Sequence, residues 1–495
     1  MIIFPQGFIL SAAAAGETLE NPRIGYQTFT RDSESVIVTA SGEDTVLGPK
    51  EATLNPDTAS FWRPPSLPAW IKYDFGSAKN IDYAGIAGHN FGDCDTAVEV
   101  RWSEVDDFDS YVSFPGSASN YASTPDSTAN SIVGDLDLRA HVAMDDWTPA
   151  TNNRTILSKW TESGNQRSYA LAVQVTDGRL VFSWSADGTA VLSAVSTASP
   201  TVVDGGKLWI RATIDVDNGA AGRDVKFWTS TDYNPDTGEG TWNQLGSTVT
   251  TGGVTSIFNG TAPLAVNGHN VGAAFNFPGK VYYAEVRNMI GGAIAAKMRP
   301  DDGLDGASSW TSATGEIWTV NKSGSPASAL VVKKLAYGIN AGTNAPLMFL
   351  DVLRNVRFIK VLLTGTVPPK VGVVYAGRSL AMARPPLVGM PPPTMSRETM
   401  LHNSMSRGGQ FLGQGIRRTG IRSRIDFPPL PQDWYRSTFD PFAVSAQQYP
   451  YFLAWSPAAY PSEVVYAWTD EDIRPRYVES FRLGVGWEFK GYGNG

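Results

Sequence analysis

The sequence predicts a mainly β, multi-domain protein, and three observations lead to that class. The chain has 495 residues, more than the roughly 250 to 300 at which a single hydrophobic core stops growing, so several domains are expected. Its 49 Gly, 32 Pro and 15 Trp suit short strands and tight turns better than long helices. In segment after segment apolar residues recur at every second position between Gly, Asp or Asn turns, the period of half-buried strands.

Composition narrows the function classes. The single cysteine, Cys94, supports neither a disulfide framework nor a cysteine-based zinc site within the chain. The apolar start from Met1 to Ala15 lacks a basic region and is interrupted by Pro5 and Gly7, so no signal peptide is expected. No run of about 18 apolar residues occurs, so no membrane insertion is expected. A net charge of −8 argues against general nucleic-acid binding. Between Arg354 and Arg424, however, stand twelve Lys/Arg and one acid, Glu398. That segment reads as contact with an acidic partner or passing DNA, or, the favoured reading, as a subunit or domain interface balanced by acidic stretches such as Asp106-Asp107-Phe108-Asp109.

The first module begins near Asn21. In Trp70-Ile71-Lys72-Tyr73-Asp74-Phe75-Gly76 through Tyr83-Ala84-Gly85-Ile86, large apolar residues are broken by a Gly-containing turn and then resume, which predicts adjacent half-buried strands. Trp62, the aromatic-x-x-Asp-x-Gly pattern through Asp74 and Gly76, and Val98-Glu99-Val100-Arg101-Trp102-Ser103 resemble a discoidin, or galactose-binding-like, jelly roll. Its closing strands appear only far downstream, at Arg354 to Gly365 and Val371 to Gly377. The jelly roll is therefore expected to be split, between about Phe108 and Arg354. A twenty-fold longer loop costs only about 2.7 kcal/mol of closure entropy, so such nesting is physically mild.

The insertion reads as a second sandwich. Tyr169, Leu171, Val173 and Val175 form one strand face, Asp177-Gly178 a turn, and Leu180, Phe182 and Trp184 the answering face. Leu208, Ile210, Ala212, Ile214 and Val216 make another strand, with Val225, Phe227 and Trp228 as neighbour. Together with Leu136 to Val142, Thr155 to Trp160 and Gly279 to Arg287, the order resembles a lamin-G or concanavalin-like domain. The expected division is an arm at 1–17, the first part of the jelly roll at 18–124, the inserted sandwich at 125–330, the closing part at 331–383 and a C-terminal β-rich domain at 384–495.

Arg384-Pro385-Pro386 and Met390 to Pro393 predict a rigid linker. Beyond it Asp433-Trp434-Tyr435 opens a short helix, Pro441 starts a second helical turn, and Tyr451 to Trp455, Val464 to Trp468 and Phe481 to Phe489 are strands, the last with Phe481, Leu483, Val485 and Trp487 on one face. The stretches Gln410 to Gln414, Asp433 to Tyr435, Phe452 to Pro457 and Val464 to Thr469 resemble tailed-bacteriophage minor tail or tail-tip proteins. That resemblance implies a structural virion protein made in the host cytoplasm. It would assemble as a homo-oligomeric ring with other tail proteins (tail tube, hub, tape measure) and display the sandwich to a host surface glycan.

Catalytic chemistry is sparse. His89, His141, His269 and His402 lie far apart, and no nucleophile elbow, Walker loop or dinucleotide fingerprint occurs. Glu285 stands without the alternating carboxylate a retaining glycosidase needs. Asp215 and Asp217 read as turn residues before Asn218-Gly219, or as a calcium-supporting loop. No enzyme activity, cofactor or metal is expected. Glycan binding needs exposed aromatic rings beside polar loops, and Trp147, Tyr233 and Trp242 are the candidates, while Trp160, Trp184 and Trp209 are expected in the core. The rival readings are a free carbohydrate-binding or adhesion protein and, less favoured, a glycan hydrolase.

Overall fold

The computed structural model describes residues 1–3, 20–31, 35–235, 238–269, 274–303, 307–322, 331–332, 335–340 and 342–492; most of the arm expected at 1–17 lies outside them. The fold is mainly β and multi-domain. The chain divides into two compact units, Met1–Phe108 with Leu335–Gly495, and Asp109–Lys334.

In the first unit a seven-stranded sheet has the order Leu335–Asn340, Ala97–Ser103, Leu347–Thr364, Ala69–Ala87, Val373–Gly377, with Ile2–Ile3 and Ile37–Ala40 paired to its two long strands. The Gly76 turn does not separate two adjacent strands, as the sequence pattern suggested. Gly76 takes φ +71° as a kink inside one continuous strand, Ala69–Ala87. Both halves of that strand pair with Leu347–Thr364, which carries register shifts of its own between Leu350 and Arg354 and between Val356 and Phe358. The Asp74 carboxylate accepts Nε and Nη2 of Arg357 at 2.7 and 2.9 Å and the Gly76 N–H at 2.8 Å. Those bonds from Arg357 lower the Asp74 pKa and join segments that lie on either side of the insertion. Ile71, Tyr73 and Phe75 are buried. Trp70 faces the other way, with Lys360 Nζ 4.8 Å from its ring centre.

The C-terminal domain belongs to this same unit. Its eight-stranded sheet runs Ser379–Ala381, Arg23–Gly25, Tyr451–Ala454, Val464–Trp468, Arg482–Tyr492, Phe411–Pro431, Arg397–Met405, with Arg476–Glu479 on the flank. Arg23–Gly25 and Ser379–Ala381, assigned to the jelly roll by sequence, thus pair in the C-terminal sheet, because Ile24 and Leu380 bury their side chains in its core. Helical turns cover Gln432–Trp434 and Asp440–Ala446, and Leu483, Val485 and Trp487 are buried, whereas Phe481 is 75% exposed at φ +61°. A layer of Tyr83, Met348, Tyr375, Phe452 and Tyr466 packs the two sheets together. Gly85 lets them approach, since a Cβ there would meet the Phe452 ring at 2.6 Å.

The second unit is a two-sheet sandwich. One sheet of eight strands has the order Leu192–Val195, Leu180–Trp184, Gln166–Val173, Arg154–Thr161, Leu264–Val266, Tyr121–Thr124, Ile317–Asn321, Ser309–Thr311. The other has nine, with Gly222–Ser230, Lys207–Asp215, Leu136–Met144, Pro278–Asn288 and Tyr111–Pro115 at its centre. The hairpin expected around Asp177-Gly178 pairs Tyr169 with Trp184 and Val173 with Leu180. Tyr111–Pro115 and Tyr121–Thr124 belong here, earlier than the boundary drawn at 125, because Val112, Phe114 and Ala122 fill this core.

Two outcomes test this account. Gly85→Ala is expected to destabilise the first unit by about 1–3 kcal/mol through overpacking against Phe452, read in chemical denaturation. His89, buried and stacked on Phe91 at 4.2 Å, has its pKa pushed down to about 3 by burial. Below pH 6.5 the unfolded chain therefore takes a proton that the folded chain refuses, and stability falls by up to about 1.4 kcal/mol per pH unit. Unfolding curves from pH 7 to 4 are expected to be flatter for His89→Gln than for the parent.

Candidate functional site

The outer face of the nine-stranded sheet is unusual in chemistry. In Leu136–Met144, Leu136, Leu138, Ala140 and Val142 point into the core, so the alternate positions Asp137, Arg139 and His141 point away from it. The same alternation in Lys207–Asp215 sends Trp209 and Arg211 outward, and in Pro278–Asn288 it sends Tyr283, Glu285 and Arg287. Register then aligns these residues. Arg139 stands opposite Arg211 and Glu285, and Arg211 opposite Trp228.

Two arginines directly opposite each other would repel. Asp137 resolves the conflict: its carboxylate accepts Nε and Nη2 of Arg139 at 3.2 and 2.9 Å and of Arg211 at 2.9 and 2.8 Å, with the Gly291 N–H at 3.0 Å. Burial alone would raise the Asp137 pKa, but the hydrogen bonds and charges of both arginines together lower it. Glu285 accepts the Tyr283 hydroxyl at 2.9 Å and Arg287 Nε at 2.6 Å, and lies 3.5 Å from Arg139 Nε. Burial and the neighbouring Glu285 charge raise the Tyr283 pKa. Three guanidiniums therefore face two carboxylates, which leaves a surplus positive charge beneath the surface.

Aromatic rings close over this layer. Tyr233 accepts Arg139 Nη1 on its hydroxyl at 2.8 Å, and its ring lies 4.8 Å from that of Trp242 and 4.9 Å from that of Trp209. His141 stacks on Trp209 at 4.5 Å. The half-exposed Trp242 ring sits 5.5 Å from the Arg139 guanidinium and 5.7 Å from that of Arg211, while Trp228, also half-exposed, lies 5.6 Å from Arg211. Each of these partly exposed rings is thus held by a guanidinium against its face.

The sequence-predicted residues divide accordingly. Tyr233 and Trp242 are brought together here, but Tyr233 is only 4% exposed and serves as the lid of the arginine layer, so its expected exposure is corrected. Trp147 is corrected as well. It is 3% exposed, donates Nε1–H to Gly206 O at 3.2 Å and lines the core of the sandwich, because its backbone N–H is tied to Asp204 Oδ1 at 2.9 Å. Trp160, Trp184 and Trp209 are all buried; Trp184 lies in the sandwich core as expected, whereas Trp209 packs with Tyr233 and Tyr283 on the outer face and Trp160 stacks on His269. Sequence reasoning missed Asp137, Arg139, Arg211 and Trp228 as members of a site, because alternate charged positions on a strand read as a solvated face.

Glu285 is fully buried with both oxygens engaged, so no side of it is open to a substrate. Asp215 and Asp217 accept the backbone N–H groups of Asp217 and Gly219, each at 3.2 Å, which is turn geometry. Burial, then the charges of Asp135, Asp224 and Asp217, raise the Asp215 pKa. Among the described residues no group of three or more His, Cys, Asp or Glu side chains converges on a point that could hold a metal ion.

No family model matches the chain. No curated protein matches it either. Among solved structures it is similar in part to the CBM40 module of Ruminococcus gnavus IT-sialidase bound to alpha2,3 sialyllactose, at 11% identity over 36% of this chain and 90% of that one, with a TM-score of 0.26. It is also similar to the heptameric SAP-like pentraxin of Limulus polyphemus, at 12% identity over 39% and 76% of the two chains and a TM-score of 0.21. The binding domain of Botulinum neurotoxin DC is a third likeness, at 9% identity over 80% and 88%, with a TM-score of 0.21.

The arginine layer carries a stability prediction. Asp137→Asn keeps the volume but leaves the buried Arg139 and the partly buried Arg211 and Arg287 with one carboxylate, and is expected to cost about 3 kcal/mol in the unfolding of the sandwich. An unchanged denaturation midpoint would mean that the arginines find other partners.

Proposed function

We propose that the protein is a structural component of a bacteriophage tail tip, assembling as a homo-oligomeric ring and using the inserted sandwich to bind a carbohydrate on the host surface. The observation that carries the binding half is the presence of Trp242 and Trp228, partly exposed rings held against Arg139 and Arg211. Sugar rings present C–H groups that stack on such faces, and polar loops beside them satisfy hydroxyls. The surplus guanidinium charge favours glycans that bear carboxylates over neutral ones. Support for the tail half is the resemblance of Phe452 to Pro457 and Val464 to Thr469 to tail-tip proteins. A ring would turn weak individual sites into avid attachment.

The test is binding of the full chain to an array of bacterial surface polysaccharides, acidic and neutral, followed by titration of the best. Trp242→Ala and Trp228→Ala are each expected to weaken affinity about tenfold, equivalent to ~1.4 kcal/mol, measured on protein whose circular-dichroism spectrum matches that of the parent. Absence of binding to every polysaccharide, or unchanged affinity in both variants, would defeat the glycan reading.

A further inference from the structure

Three guanidiniums against two carboxylates leave one positive charge in the layer beside Trp228 and Trp242, and the hydrogen bonds show which donors are left over. Arg139 engages every guanidinium nitrogen within the layer: Nε and Nη2 donate to Asp137 and Nη1 donates to the Tyr233 hydroxyl. Arg287 does the same, with Nε on Glu285, Nη1 on Gly292 O at 3.1 Å and Nη2 on the Tyr233 hydroxyl at 3.4 Å. Arg211 differs. Its Nε and Nη2 donate to Asp137, but Nη1 has no hydrogen-bond partner among the described residues and is not sealed from solvent. Its side chain keeps 13% exposure, against 7% for Arg139.

A guanidinium carries five N–H donors in a fixed, forked geometry. Asp137 occupies the fork of Nε and Nη2, which leaves the end fork, Nη1 with the second hydrogen of Nη2, directed away from that carboxylate. Such a fork matches the two oxygens of a further carboxylate. Its surroundings are those of a sugar site. Of the three arginines, Arg211 alone lies close to both partly exposed indoles, 5.6 Å from the Trp228 ring centre and 5.7 Å from that of Trp242. Trp228 stands directly opposite Arg211 in the ladder. On the next strand Asn243 and Gln244 are exposed, opposite Thr229 and Trp228. Gln244 donates Nε2 to Gly246 O at 3.2 Å, so its amide oxygen is left to accept a hydroxyl.

We propose that Arg211 is the specificity-determining residue of this site, its end fork taking the carboxylate of an acidic sugar whose ring carbons contact Trp228 and Trp242. The ligand class is a glycan of hexuronate or nonulosonate units, with one carboxylate per site. The inference rests on the glycan reading above and names the group that selects within it.

The experiment titrates the full chain with the uronate- and nonulosonate-bearing polysaccharides of the array, each beside its carboxyl-reduced derivative, in which the carboxylate has become a hydroxymethyl group. The parent is expected to bind the acidic form of its best ligand at least tenfold more tightly than the reduced form, and this ratio is expected to shrink as salt rises. In Arg211→Gln, on protein whose circular-dichroism spectrum matches that of the parent, the ratio is expected to fall to about one. Arg211→Lys keeps the charge without the fork and is expected to show a ratio at least threefold smaller than the parent's. A parent that binds both forms equally overturns the role of Arg211 and leaves the glycan reading standing; carboxyl reduction spares sulfate and phosphate esters, so a site filled by those gives this result. A parent-like ratio in Arg211→Gln or in Arg211→Lys overturns the proposal in the same way. Absence of binding to every polysaccharide overturns both readings.

Discussion

The pairing of Ala69–Ala87 with Leu347–Thr364 is the constraint on which the architecture depends. These two strands lie at the centre of the frame sheet, yet the whole inserted sandwich separates them in sequence. Neither has its partner until the chain has left the frame after Phe108 and returned at Leu335. Closure entropy grows only logarithmically with the length of the excursion, and a folded insertion with neighbouring ends shortens it further. The frame secures the return with contacts that span the break. Trp62 and Val371 exchange backbone hydrogen bonds at 2.8 and 3.0 Å, the Trp62 indole is fully buried with its N–H on Gly42 O, and Arg357 reaches back to Asp74. The C-terminal sheet then packs on the strands so assembled, through Phe452 against Gly85 and Tyr466 against Tyr375.

The legible parts of the sequence are those where one face of a strand is buried and the other solvated. Period-2 runs such as Leu208 to Ile214 and Tyr169 to Val173 describe their own strands and their own core, and Asp177-Gly178 describes its turn. Two kinds of element escape that logic. The hairpin over 397–416 leaves Met400, Leu401, Met405, Phe411, Leu412 and Ile416 exposed, so its residues follow no period; its remaining signal is the turn at Arg407-Gly408-Gly409. The sheet face around Asp137 escapes for the opposite reason. Its alternate positions are charged, which reads as solvent exposure, but Tyr233 and Trp242, from the loop that follows Gly222–Ser230, close over them. A tertiary contact decides that burial, and no local pattern encodes it.

The same loop explains why the candidate aromatic residues were only partly separable by sequence. Tyr233 and Trp242 both stand in polar, turn-rich surroundings, and their fates are set by hydrogen-bonding capacity toward the layer beneath. A tyrosine hydroxyl can accept from a buried guanidinium, and Tyr233 does so from Arg139; the indole of Trp242 has no acceptor to offer and meets the arginines with its face. The residue that can satisfy a buried donor goes under, and the residue that cannot remains at the surface.

That division bears on how a recognition surface is made rigid. A ring on a mobile loop loses much of its stacking energy to ordering. Here the ring is held by cation contacts to Arg139 and Arg211, those arginines are held by bidentate bonds to Asp137, and Asp137 is fixed by its strand and by the Gly291 N–H. Order is inherited upward from the sheet, and its cost is met in folding.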